Sequence, residues 1–293
     1  MPRQVRPRRS VLYMPGSNAR ALEKARTLPA DGLIFDLEDA VAPEAKVTAR
    51  QQVVGTLLAG GYGKRECIVR VNALATPWGR DDLVAVAACG ADAVLLPKVE
   101  SGDMVRQAWA ILTAQGAPER LAIWCMLETP RAFLRLEDIA TAHPQVAALV
   151  LGTSDLAKEL HATVRRERLA LLPSLGLALL VGRAYDLAVL DGVHLDLDDE
   201  EGFLYACQQA ADMGCDGKTL IYPKTIAPAN DIFAPSPSDV EWSRRIIAAH
   251  AEATARGQGV VLVEGRLIES LHVENARRLV QLADTIAALA EES

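Results

Sequence analysis

Apolar runs of four to six residues recur along the chain, each followed by a stretch with helical periodicity. The first is Ser10-Val11-Leu12-Tyr13, with a turn at Pro15-Gly16 and a helix opened by Ser17 or Asn18, whose side chains can accept unpaired N–H groups of a first helical turn. Gly32-Leu33-Ile34-Phe35-Asp36 precedes a helix opened by Pro43-Glu44, and Cys67-Ile68-Val69-Arg70-Val71 precedes one expected from about Trp78 to Ala88. The runs at 93–97, 122–127, 147–151, 187–190 and 218–222 complete a set of eight. Unbroken apolar runs suit strands covered on both faces, and strand–helix alternation implies right-handed parallel crossovers. Eight such units over residues 10–234 predict an α/β fold, a (β/α)8 TIM barrel carrying the catalytic residues. A doubly wound open sheet is the competing architecture. Residues 1–9 read as a flexible basic tail. Residues 235–293 read as a C-terminal appendage of two helices and a lid segment, joined through the Gly-rich stretch Gly257 to Gly265, the second helix amphipathic from about Val273 to Leu289.

Half of the 293 residues are apolar and 24% are charged, which is globular composition and excludes global disorder. A formal net charge of −7 removes the basic field that phosphate backbones require, so no nucleic-acid partner is expected. Five cysteines without a C-x-x-C pair indicate neither a zinc knuckle nor a disulfide framework and point to a reducing cytoplasm. No apolar run approaches the roughly 18 to 20 residues of a membrane span, and no apolar region behind the N-terminal arginines reads as a secretory signal.

In a barrel of this kind the chemistry sits at the C-terminal ends of the strands. The second run ends in Asp36-Leu37-Glu38-Asp39, the third carries Arg70 and then Asn72, and the fourth ends in Pro97-Lys98. The fifth ends in Glu128-Thr129-Pro130, the sixth runs into Gly152-Thr153-Ser154-Asp155, and the seventh ends in Asp191. Acids converging on one rim without histidine or cysteine favour a hard cation, Mg2+ over Zn2+, with Glu128 and Asp155 as ligands. Competing readings stay open: Asp155 as a helix cap, Arg70 in a structural ion pair with Glu38 or Asp39, Lys98 snorkelling to solvent. His143, His161, His194, His250 and His272 share no metal-ligand spacing. The chain has no phosphate-binding P-loop, no dinucleotide G-x-G-x-x-G after a strand, no H-E-x-x-H and no G-x-S-x-G. Gly60-Gly61-Tyr62-Gly63 follows a helix and reads as a helix-to-strand loop.

Six strings resemble the citrate lyase β-subunit-like family, within the HpcH/HpaI aldolase group that includes malyl-CoA and citramalyl-CoA lyases. They are Leu12-Tyr13-Met14-Pro15-Gly16, Phe35-Asp36-Leu37-Glu38-Asp39-Ala40-Val41, Val69-Arg70-Val71-Asn72, Leu96-Pro97-Lys98-Val99-Glu100, Leu127-Glu128-Thr129-Pro130 and Gly152-Thr153-Ser154-Asp155-Leu156. The resemblance implies the same barrel, with Glu128 and Asp155 as Mg2+ ligands and Arg70 on the oxygen of the reacting keto or hydroxy group. It implies that Glu38 and Asp39 orient metal-bound waters. It also implies coenzyme A phosphates near the first βα loop, where Arg20 and Lys24 are candidate contacts; ordinary solvated helix charges are the alternative. Lys98 is a further candidate for substrate or coenzyme A binding. The family's late Gly-Lys-Met-Ile-Asp appears here as Gly265-Arg266-Leu267-Ile268-Glu269, so the lid acid that reaches a neighbouring subunit is Glu269, one methylene longer. Ile221-Tyr222-Pro223-Lys224 stands where relatives often have Ile-His-Pro, a change that bears on substrate shape.

The implied activity is Mg2+-dependent C–C cleavage or formation of a 3-hydroxy-3-carboxyalkyl-CoA such as citramalyl-CoA or malyl-CoA, yielding a 2-keto acid and acetyl-CoA. Preorganised cations would stabilise charge as it moves between oxygens, and Glu269 would take the thioester methyl proton in the synthetic direction. The alternatives are a malyl-CoA thioesterase, a metal aldolase acting on free acids, a citrate lyase β subunit dependent on a carrier protein, and a non-catalytic coenzyme A-binding module. A lid acid supplied by a neighbour implies a homo-oligomer, a trimer or hexamer.

Overall fold

Eight parallel strands hydrogen-bond in sequence order and close into a barrel when β1 meets β8. They are β1 (Ser10–Pro15), β2 (Gly32–Asp36), β3 (Glu66–Arg70), β4 (Ala93–Leu96), β5 (Ala122–Leu127), β6 (Val146–Leu151), β7 (Ala188–Asp191) and β8 (Gly217–Leu220). Around them lie α1 (Ala19–Lys24), α2 (Lys46–Ala59), α3 (Gly79–Val86), α4 (Gly102–Ala114), α5 (Pro130–Leu134), α6 (Leu136–Ala140), α7 (Thr153–Glu159), α8 (Leu172–Ala184), α9 (Glu200–Met213) and α10 (Ile226–Phe233). The computed structural model describes residues 6–290. Arg8–Phe233 form one compact unit, and the chain from Ala234 belongs to a second.

Both faces of each strand are apolar because each is covered. Val11, Ile34, Ile68, Leu95, Trp124 and Val150 fill the barrel, while Leu12, Leu33, Phe35, Val69, Ile123 and Leu149 pack outward against the helices. Side chains alternate strictly along a strand. The next inward positions after Ile34, Ile68, Met126 and Val150 are therefore Asp36, Arg70, Glu128 and Gly152, and the interior turns from apolar to polar at its C-terminal end.

The opposite end is closed. Arg8 donates from Nε and Nη2 to the Glu66 carboxylate at 2.7 and 2.8 Å, and its guanidinium lies 5.0 Å from the Trp124 ring. Arg9 makes a paired contact with Asp31 at 2.9 and 2.8 Å. The nine-residue basic tail expected from composition is thus shorter: Arg8 and Arg9 belong to the barrel because buried acids hold them, and residues 1–5 of that tail lie outside the described residues.

The second unit contains α11 (Pro237–Ala255), β9 (Val261–Val263), β10 (Arg266–Ile268) and α12 (Ser270–Ala290). The Gly-rich link expected between two helices is an antiparallel hairpin, its two-residue turn formed by Glu264 and Gly265, both at positive φ (49° and 77°). Ile246, Ile268, Val273 and Ala276 form this unit's own small core. No helix among the described residues is long and apolar enough to cross a membrane.

Candidate active site

At the mouth, the ends of β2 and β3 are tied by a two-point ion pair. Arg70 Nε donates to Asp36 Oδ1 at 2.7 Å and Nη2 to Oδ2 at 2.6 Å. The same Asp36 carboxylate accepts the backbone N–H groups of Glu38 and Ala40, at 2.8 and 3.1 Å, which bends the chain so that Glu38 and Asp39 turn back toward Arg70. Nη1 of Arg70 lies 3.0 Å from Glu38 Oε2 and 3.1 Å from Asp39 Oδ2, and the guanidinium stacks 4.9 Å from the Tyr13 ring. The ion pair weighed from the sequence joined Arg70 to Glu38 or Asp39. Its main partner is Asp36, whose inward parity was the unused signal, and the bidentate geometry is the one a guanidinium favours.

Glu38 is buried, and burial lifts its pKa despite the neighbouring Arg70. Its Oε1 accepts from Lys98 Nζ at 3.0 Å; its Oε2, although close to Arg70, makes no aligned hydrogen bond. Lys46 Nζ donates to the Leu37 and Glu38 carbonyls at 3.0 and 2.8 Å and fixes this loop from behind. Lys98 does not simply snorkel. Its backbone is left-handed (φ 51°), which directs its N–H onto Glu128 Oε1 at 2.6 Å. A non-glycine residue held there is local strain of the kind found at functional sites.

Glu128 is 2% exposed, and burial, with Glu38 and Asp155 adding repulsion, pushes its pKa up to about 7. It fits only because residue 152 is glycine: a Cβ there would lie 2.5 Å from Glu128 Cβ and 2.7 Å from Oε2. Asp155, half-buried in the first turn of α7, makes no hydrogen bond or ion pair among the described residues, so capping does not account for it. The mouth thus brings together Glu38, Asp39, Arg70, Lys98, Glu128 and the α7 turn that carries Asp155. No group of three or more His, Cys, Asp or Glu residues positioned to hold a metal occurs among the described residues. Asp155 and the second carboxylate oxygen of Glu128, neither accepting a hydrogen bond among the described residues, are oxygen donors that match a hard divalent cation completing its shell with water or substrate oxygens.

Other expectations fare differently. Asp191 is not a rim acid. It is fully buried in the layer between barrel and helices, 2.6 Å from Lys218 Nζ and 2.7 Å from Arg168 Nη1, which hold its carboxyl below the usual range against the cost of burial. Arg20 and Lys24 are exposed on α1 without a polar side-chain partner among the described residues. Glu269 lies in the second unit, where its N–H donates to His272 Nδ1 at 3.1 Å at the start of α12. All five cysteines are buried and none is in a disulfide, and burial pushes the Cys125 and Cys215 thiols up to about 12.

Residues 9–223 match the family described as HpcH/HpaI aldolase/citrate lyase. The chain belongs to that family. Among HpcH/HpaI relatives, a (3S)-malyl-CoA thioesterase of Cereibacter sphaeroides (strain KD131 / KCTC 12085) is 48% identical over 288 residues, covering 98% of this chain and 99% of the relative. A citrate lyase subunit beta of Escherichia coli (strain K12) is 34% identical, covering 99% and 97% of the two chains. Among solved structures, protein CitE from Mycobacterium tuberculosis in complex with magnesium, acetoacetate and coenzyme A superposes with a TM-score of 0.75 at 28% identity, covering 95% of this chain and 98% of that one. Within the HpcH/HpaI family this chain is therefore similar to one protein named for hydrolysis and another named for C–C cleavage.

Proposed function

We propose that this chain is a Mg2+-dependent enzyme of coenzyme A thioesters that hydrolyses a malyl-CoA-type 3-hydroxyacyl-CoA to the free acid and coenzyme A. The observation that carries the reading is the 48% identity to a (3S)-malyl-CoA thioesterase over nearly the full length of both chains. The mouth chemistry supports it. Glu128 and Asp155 would hold the cation, as magnesium accompanies the CitE protein of similar fold. Bound there, Mg2+ supplies Lewis acidity to the hydroxyl and carbonyl oxygens of the substrate.

Arg70, immobilised by Asp36 and stacked on Tyr13, presents its remaining N–H groups to a substrate oxygen without reorganising, which is the condition for effective stabilisation of developing charge. Glu38 takes the proton of the attacking water. Its Oε2 has no aligned donor, and burial moves its pKa toward working pH, where a carboxylate is a better base. Water oxygen bonds to the thioester carbon, the C–S bond breaks, and the coenzyme A thiolate takes up a proton. Asp39 steadies Arg70 at the rim. Arg20, Lys24 and Lys98 are the cations available to the coenzyme A phosphates.

Retro-Claisen cleavage to a 2-keto acid and acetyl-CoA is the second reading, favoured by the similarity to citrate lyase subunit beta. In that reading Glu269, from a lid over a neighbour's site in a trimer or hexamer, handles the methyl proton. The test is an assay of the purified chain with (3S)-malyl-CoA and citramalyl-CoA, with and without EDTA, detecting free thiol, keto acid and acetyl-CoA separately. Thiol without keto acid, abolished by chelation and restored by Mg2+, is the expected result. Keto acid with acetyl-CoA would replace hydrolysis by the lyase reading, and thiol release indifferent to EDTA would remove the cation from the reaction.

A further inference from the structure

Tyr13 is the aromatic residue of β1 that packs against the barrel's interior cluster. One face of its ring is taken up by the Arg70 guanidinium at 4.9 Å, which leaves the phenol as its polar edge at the mouth. That hydroxyl makes no hydrogen bond among the described residues. The contrast with Tyr62 is direct: buried in the layer outside the barrel, Tyr62 donates to the Leu22 carbonyl at 2.9 Å. Tyr13 is only half-buried, so its hydroxyl, unlike that of Tyr62, stays open to a molecule entering the mouth.

The groups around Tyr13 define what it can do. Arg70, Asp36, Glu38 and Glu128 all act on it, and burial together with the three carboxylates raises its pKa, so the phenol keeps its proton and serves as a donor. None of these carboxylates accepts from the Tyr13 phenol: Asp36 holds Arg70 and the backbone, Glu38 Oε1 accepts from Lys98 Nζ, and Glu128 Oε1 accepts from the Lys98 N–H. The phenol is therefore available to an acceptor oxygen of a molecule bound beside Arg70.

We propose that Tyr13 donates a hydrogen bond from its phenol to a substrate oxygen that gains negative charge during the reaction, sharing that charge with Arg70. The inference rests on the thioesterase reading only for which oxygen this is, the thioester carbonyl oxygen; in C–C cleavage it would be an enolate or keto oxygen.

Tyr13→Phe keeps the ring and its contact with Arg70 and removes the donor alone. With malyl-CoA, kcat is expected to fall by about 10² to 10³, the loss seen when one such donor is removed, with KM little changed and the thermal midpoint unaltered. A second measurement does not depend on turnover: oxalate, a small dianion, is titrated calorimetrically into each protein in the presence of Mg2+. The variant is expected to bind it at least about tenfold more weakly, as for loss of one hydrogen bond to a charged group. Equal oxalate affinity in the two proteins overturns the assignment whatever turnover does, as does absence of oxalate binding by the wild type or a lowered midpoint in the variant. Weaker binding by the variant, with no thiol released from malyl-CoA by the wild type, would sink the thioesterase reading and leave Tyr13 in place.

Discussion

Glu128 carries the burial of the mouth in its titration. Its carboxyl, at about 7 in the fold against an ordinary 4.5, binds a proton more tightly folded than unfolded. That preference favours the fold below about 4.5 and is lost as pH rises through about 7. In EDTA, wild type should therefore lose up to about 3 kcal/mol relative to Glu128→Gln between pH 5 and pH 8, read from urea denaturation at several pH values. Mg2+ at pH 8 should restore the wild type and leave the variant unmoved; parallel pH profiles of the two proteins would contradict the coupling. Gly152→Ala makes the complementary case. The added methyl meets Glu128 at 2.5 Å, so Mg2+ affinity and turnover should fall together while overpacking costs about 1 to 3 kcal/mol of stability. Normal Mg2+ affinity in a folded Gly152→Ala protein would show that Glu128 has another place to go. The identities of Glu38, Asp39, Arg70, Lys98, Glu128 and Asp155 were readable from strand ends alone. Their wiring was not, because the Asp36 tie and the left-handed Lys98 depend on which strand neighbours which, and one-dimensional spacing does not carry that.

Among the elements, the ends of β7 and β8 depend on a buried ionic knot. Asp191 answers two cations, Lys218 from β8 and Arg168 from the segment leading into α8, and Arg168 also donates to the Ala206 carbonyl and Gln209 of α9. Asp191→Ala would leave both cations buried without their acid, and breaking such a pair costs about 3 to 5 kcal/mol. Chemical denaturation should show that loss with Mg2+ binding intact at whatever fraction remains folded. A loss below about 1 kcal/mol, the range of an exposed pair, would mean the knot relaxes to solvent. The sequence placed Asp191 correctly at the end of its strand and wrongly among the rim acids, since period-two parity turns it outward, opposite to Leu190. The strands themselves were legible because double coverage makes them uniformly apolar. The β9–β10 hairpin was not, since three-residue strands flanking Glu264-Gly265 are too short to stand out from a Gly-rich link.

For the whole molecule, the two compact units divide the expected chemistry between them. Glu128 and Asp155, proposed to hold the cation, belong to the barrel and Glu269 to the C-terminal unit. Glu269→Ala should therefore leave Mg2+ affinity, measured by calorimetry, unchanged, and in the C–C reading it should cripple condensation of acetyl-CoA with the keto acid. Unchanged condensation would remove Glu269 from that reaction, and lost Mg2+ binding would mean that it belongs to the cation's shell after all. The barrel's closed end has a different consequence. With Arg8 locked to Glu66 over Trp124, and with Ile34, Ile68 and Leu95 filling the interior above, nothing can drain through the bottom. The barrel is a cul-de-sac. In the thioesterase reading, an acid held against Arg70 would lie beneath the longer thiol-bearing fragment and would depart after it, by the way it came. Product inhibition should keep that order: competitive for the free acid, which is last out, and mixed for coenzyme A, which must clear the doorway first.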